Sequence, residues 1–140
     1  MRVKTFCFSI ATAASLMALS PLAHAAVPDQ LKKDFAQAIY DGSPDLVHKR
    51  NPQPLLRAVI VLNVKLDENN QWRADVIRGN DQQPEMQARA IETVKKARML
   101  DLSDTDRTEM QRGGLIEAWL FDSDGTFQVK TLAKAQQSGR

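Results

Sequence analysis

The residues of this chain that could do chemistry are a histidine, several short acidic groups and one cysteine, and their spacing argues against most chemistry. His48 is one of two histidines among the 140 residues; the other, His24, lies in the apolar N-terminal segment. A Ser-His-Asp relay would have to use His48. Nothing around it resembles a nucleophile elbow, and Lys49 and Arg50 follow at once. One histidine without cysteine partners makes no ordinary zinc site. Asp122-Ser123-Asp124-Gly125 resembles the opening of a calcium loop but lacks a closing Glu at the twelfth position, and Asp-Gly reads instead as a hairpin turn. Asp101, Asp104, Asp106 and Glu109 are interleaved with Arg107 and Arg112, the pattern of a solvated connector. Asp67 and Glu68 share a loop with no apolar pocket to separate their titrations. Gly113-Gly114 is a bare pair, not a phosphate loop. The expectation is a protein without enzymatic activity, cofactor or metal.

Export sets the frame for the rest. Arg2 and Lys4 precede an apolar run from Phe6 to Leu19, Pro21 breaks it, and Ala23-His24-Ala25 closes it with small residues two apart. That is the three-part pattern of a signal peptide, cleaved between Ala25 and Ala26. The run is shorter than the roughly 20 residues that span a bilayer, so no stable membrane anchor is expected after cleavage. Residues 1–25 hold two of the 19 basic residues and none of the 17 acidic ones, so the remainder is balanced in charge. Balance, with no strip of interleaved aromatic and basic residues, argues against nucleic acid as a partner. Cys7, the only cysteine, leaves with the signal. The exported chain must therefore hold itself together by packing, without disulfides. The expected location is periplasmic, with secretion as the alternative.

Four regions follow: the signal (1–25), an N-terminal helix and Pro-rich connector (26–55), an α+β domain (56–132) and a polar flexible tail (133–140). Leu31, Phe35, Ala38 and Ile39 recur at helical spacing and predict a helix from Pro28 to Tyr40. Pro44, Pro52 and Pro54 make the next stretch an extended connector. Leu56, Ala58, Ile60, Leu62, Val64 and Leu66 alternate, predicting a strand over Arg57–Asp67 that is paired through Asp67–Gln71 with a second strand opening at Trp72. Met86, Ala90, Ile91, Val94 and Ala97 form the inward stripe of a helix over Pro84–Leu100. Leu100–Arg112 reads as a polar connector in which Ser103 and Asp106 cap at most a short turn. Leu115–Phe121 and Thr126–Leu132 form a last hairpin. Trp72 and Trp119 are core or sheet-face residues. The order helix, hairpin, helix, hairpin implies a small antiparallel sheet of two hairpins with two helices on one face. Val59, Val61, Ile77, Ile116, Ala118 and Leu120 leave the other face partly apolar, to be covered by the connector.

From Leu56 to Leu132 this order resembles the TonB C-terminal domain family. The resemblance rests on Ala58-Val59-Ile60-Val61-Leu62-Asn63-Val64-Lys65-Leu66-Asp67, on Trp72-Arg73-Ala74-Asp75-Val76-Ile77-Arg78-Gly79, on the helix Ala90–Ala97, and on Ile116–Phe121 followed by Gly125–Val129. Asn69-Asn70 stands in the first hairpin where the family commonly has Gly. The resemblance implies a TonB-like fold and the binding of an extended segment of an envelope protein at a sheet edge, with a link to envelope transport. It does not imply energy transduction, since fold alone does not fix function. The partner edge it implies comprises Trp119, Phe121, Phe127, Gln128, Val129 and Lys130. Two other readings are weighed beside it. One is a small-molecule or lipid carrier with a cavity lined by Leu62, Val64, Trp72 and Ile91. The other is a hydrolase inhibitor, or a weak hydrolase that gathers His48 with two carboxylates.

Overall fold

The computed structural model describes residues 27–135. The cleavage site at Ala25 and Ala26, and the tail beyond Ala135, lie outside the described residues. Helix α1 (Asp29–Gly42) starts after Pro28, whose missing N–H costs nothing at a helix start. It buries Leu31, Phe35, Ala36, Ala38 and Ile39, and a 3₁₀ turn at Pro44–Leu46 follows. Strand β1 (Ala58–Leu66) alternates buried and half-buried residues along its whole length, as a strand with one face in the core must. It pairs antiparallel with β2 (Trp72–Arg78) and, on its other side, with β3 (Leu115–Phe121). A three-residue β4 (Phe127–Val129) completes an antiparallel sheet of order β2-β1-β3-β4. The fold is α+β, and the two-hairpin description fits it.

Helices α1 and α2 (Pro84–Lys96) cover the face that carries Ala58, Ile60, Leu62, Val64 and Leu66. Helix α1 crosses the sheet: Phe35 meets Trp72 of β2 edge-on at 5.0 Å between centroids, and Tyr40 meets Phe127 of β4 at 6.2 Å. The N-terminal helix is thus part of the same core as the sheet. Trp119 lies under α2. Its indole N–H donates to Thr93 Oγ1 at 2.9 Å, and that hydroxyl donates to the Ala90 carbonyl at 2.7 Å. This satisfies the polar edge of a fully buried ring.

Helix α1 runs two residues past the expected end at Tyr40, and three elements differ further from the sequence expectation, each for a local reason. The polar stretch Leu100–Arg112 contains a third helix, α3 (Asp104–Arg112), capped by Ser103, whose Oγ accepts the Asp106 N–H at 3.1 Å. Helix α2 stops at Lys96, because Ala97 is already extended and its N–H closes on the Val94 carbonyl. Strand β4 ends at Val129, and a 3₁₀ turn at Lys130–Leu132 takes its place. There the Thr131 N–H leaves the ladder and donates to Glu117 Oε1 at 3.3 Å. In the first hairpin Asn70 adopts φ 57°, the left-handed region that Asn tolerates better than most residues. Asp67 Oδ1 accepts the N–H groups of Asn69 and Gln71 at 2.8 and 2.9 Å and fixes the same turn.

Candidate functional site

A sheet-edge site needs backbone N–H and C=O groups that point outward and meet nothing. Strand β4 does not offer them. Its outward groups are those of Phe127 and Val129, since Gln128 pairs with Leu120 of β3. The Phe127 carbonyl accepts the His48 N–H at 2.8 Å, and Val47 forms a parallel bridge to Phe127. The Val129 N–H donates to the Tyr40 hydroxyl at 3.1 Å. Of the residues expected at a partner edge, Trp119, Phe121, Phe127 and Val129 are fully buried in the core. Gln128 is buried too. Its Nε2 donates to the carbonyls of His48 and Arg50 at 2.9 and 2.6 Å, and its Oε1 accepts the Lys134 N–H at 3.1 Å. Lys130 alone is exposed. The connector after α1 therefore lies along β4 as an edge cover, and the structure puts the open edge elsewhere. A glutamine between two core residues, Phe127 and Val129, was the one sequence signal that something polar had to be held there.

The same connector gathers His48 with two carboxylates. His48 Nδ1 lies 2.8 Å from Thr126 Oγ1 and 3.3 Å from Asp122 Oδ2. Asp122 is 1% exposed; its Oδ1 accepts the Gln53 N–H at 3.2 Å and its Oδ2 has no hydrogen-bond partner. Thr126 Oγ1 donates to Asp124 Oδ1 at 2.6 Å, so it must accept from His48. Those bonds from the Thr126 hydroxyl and amide hold the Asp124 carboxyl below its usual range. In a nucleophilic relay the carboxylate holds one imidazole nitrogen and the nucleophile faces the other. Here both Asp122 and Thr126 lie beside Nδ1, only Thr126 is hydrogen-bonded to it, and the Thr126 proton is committed to Asp124. The cluster is a tie between connector and β3–β4 turn. Among the described residues no group of three or more His, Cys, Asp or Glu side chains could hold a metal ion.

Tyr40 links α1 to this edge. Burial is the main cause that raises its phenol above the ordinary value, the Glu117 charge adds to it, and the Val129 N–H works against both. Glu117 is 3% exposed; its Oε1 accepts the Ala118 and Thr131 N–H groups, and its Oε2 has no partner. A raised acid pKa means that the fold favours the neutral phenol. The associated stability is complete below the unfolded value, about 10, and is lost as pH rises through the folded one. Tyr40 is the only tyrosine, so phenolate absorbance reads it alone. The native titration midpoint is expected above that of the urea-unfolded chain, with the urea midpoint of unfolding falling across the same alkaline window. Equal absorbance midpoints in the two states would contradict this account.

Strand β2 is the open edge. The Asp67 N–H donates to the Gln71 carbonyl at 2.9 Å and closes the hairpin. From that pair onward the ladder alternates, so Arg73 opposite Lys65 and Asp75 opposite Asn63 turn their backbone groups toward β1. The N–H and C=O groups of Trp72, Ala74 and Val76 point outward, where no strand follows among the described residues. The register shifts between Val61 and Leu62, so Ile77 is the extra residue of a bulge that ends regular pairing. Val76 is 41% and Ile77 54% exposed. Beside the edge runs a cleft of about 200 Å³ lined by Trp72, Arg73, Ala74, Ile91, Val94 and Lys95. Of the residues expected to line a carrier cavity, Trp72 and Ile91 border this cleft, while Leu62 and Val64 are fully buried and do not line it. The opposite sheet face is only partly covered: Val59, Val61, Ala118 and Leu120 are half-buried, and Ile116 is 64% exposed.

The class defined by this fold is a small α+β domain with one sheet edge sealed by its own connector and the other open. Comparison of the chain with protein-family models, with curated proteins and with solved structures finds no match. Among the described residues no helix is long and apolar enough to cross a membrane.

Proposed function

We propose that this chain is an exported, non-enzymatic interaction module of the bacterial envelope, similar in design to TonB C-terminal domains, that receives an extended partner segment along the outer edge of β2. The observation that carries the reading is the row of outward backbone groups at Trp72, Ala74 and Val76 beside a cleft whose lining mixes Trp72, Ala74, Ile91 and Val94 with Arg73 and Lys95. Backbone pairing supplies affinity in such an arrangement, and alternate side chains of the added segment enter the cleft and supply choice of partner. The TonB-like reading supports the mode of binding, and the signal-like N-terminus supports a periplasmic location.

Ala74→Pro tests the reading. Proline there removes one outward N–H and no bond to β1, so folding is affected less than edge pairing. Periplasmic proteins captured by the wild-type chain are expected to be lost by Ala74→Pro, with both chains melting cooperatively. Equal capture by a folded Ala74→Pro chain would refute edge binding at β2.

A further inference from the structure

The open edge is complementary to itself. Along β2 the residues Trp72-Arg73-Ala74-Asp75-Val76 alternate between the helix-covered face, which takes Trp72, Ala74 and Val76, and the opposite face, which takes Arg73 and Asp75. If a second copy lies antiparallel with Ala74 opposite its own counterpart, Trp72 faces Val76 of the other copy and Arg73 faces Asp75. The two-fold axis repeats both pairings, as in any isologous interface. The outward groups of Trp72, Ala74 and Val76 then meet outward groups of the same residues, so the hydrogen-bond pattern is in phase. Among the described residues neither Arg73 nor Asp75 forms an ion pair.

We infer that a second copy of this chain pairs along β2, with Arg73 against Asp75 on both sides of the two-fold axis, to give a continuous eight-stranded sheet. Charge fixes the register. A slip of two residues one way sets Arg73 opposite Arg73; a slip the other way sets Asp75 opposite Asp75. Like charges directly opposite each other are unfavourable, and a slip of one residue breaks the hydrogen-bond phase. The Arg73–Asp75 pairs fall at positions without ladder hydrogen bonds, where opposed side chains lie closest. Pairing also shelters Val76, an exposed apolar residue on an unprotected edge. The inference rests on the same free edge as the proposed partner site and gives it a regulator, because the outward groups of Trp72, Ala74 and Val76 cannot serve a second copy and a partner segment at once.

Sedimentation across a concentration series tests it without any partner. The wild-type chain is expected to pass from monomer to dimer. Arg73→Glu and Asp75→Arg should each weaken the dimer about tenfold or more, since each puts two like-charge contacts across the axis. The double variant, and an equimolar mixture of the two single variants, should recover dimer, because opposite charges again face each other in both. Arg73 and Asp75 are both exposed, and thermal melting checks that the folds are intact. A wild-type chain that stays monomeric overturns the inference. So does a dimer that ignores the single reversals, or reversals that neither the double variant nor the mixture repairs. Loss of partner capture by Ala74→Pro is read separately, so self-pairing and partner binding can fail independently.

Discussion

Replacing Trp119 with alanine is expected to destabilise the domain by about 3–5 kcal/mol, the usual range for a fully buried large aromatic. The ring has no exposure and lies between β3 and α2. Its removal leaves a void in the core beside Thr93 of α2, and it takes away the donor that Thr93 Oγ1 accepts. Thr93→Val separates the two contributions. Valine keeps the shape but strands the indole N–H in the core, which costs about 1–3 kcal/mol. Urea unfolding of both variants at constant slope measures the difference. A Trp119→Ala loss below about 1 kcal/mol would mean that α2 and the sheet close over the gap, contrary to the close packing of ordinary cores. With total stabilities of about 5–15 kcal/mol, the expected loss is a large share of what holds this disulfide-free chain together.

The alternation of β1 was legible because one face is buried and the other is not, so each residue carries the period itself. The bounds of β3 were legible instead from its flanks, with Gly113-Gly114 before and Asp122 after, since its one charged residue, Glu117, is on the buried face. Helix α3 was not. Of its nine residues only Met110 is buried, so it has no apolar stripe to show; Ser103 was its sole local sign. The candidate site was harder still. Which edge is free depends on strand order, and strand order is decided by contacts far apart in sequence. The sequence order of the two hairpins makes Thr126–Leu132 look like the outer strand, with Phe127 and Val129 open to a partner. In the fold the Pro-rich connector returns to β4 across some 80 positions of sequence, as the bonds from Gln128 to His48 and Arg50 record. Nothing local in Pro44–Leu56 announces that path. Conversely, the self-complementary run of β2 was printed in the sequence throughout, but it acquires meaning only once β2 is known to be an edge.

Gly114 joins that non-local order to a single backbone position, and Gly114→Ala is expected to cost about 2–5 kcal/mol. Two strains combine. Its φ is +71°, a left-handed conformation that costs an L-residue roughly 1–2 kcal/mol. A Cβ built there would also lie 2.4 Å from the Val64 carbonyl oxygen, 2.6 Å from Lys65 Cγ and 2.8 Å from Asn63 Oδ1. The first of these is backbone of the central strand, which cannot step aside without disturbing its pairing, and overpacking of this kind costs about 1–3 kcal/mol. Gly114 is also where the chain leaves α3 and enters β3 at Leu115 opposite Val64, so a shift there is passed into the β1–β3 register. Gly114→Asn tells the two strains apart. Asn tolerates φ > 0 better than Ala but carries the same Cβ. If the clash with Val64 dominates, both variants lose similar stability in urea unfolding; if the dihedral dominates, Asn recovers most of the loss. Wild-type stability in Gly114→Ala would mean that the α3–β3 junction relaxes freely, and the register of β3 would then have to be held by Trp119 and Phe121 alone.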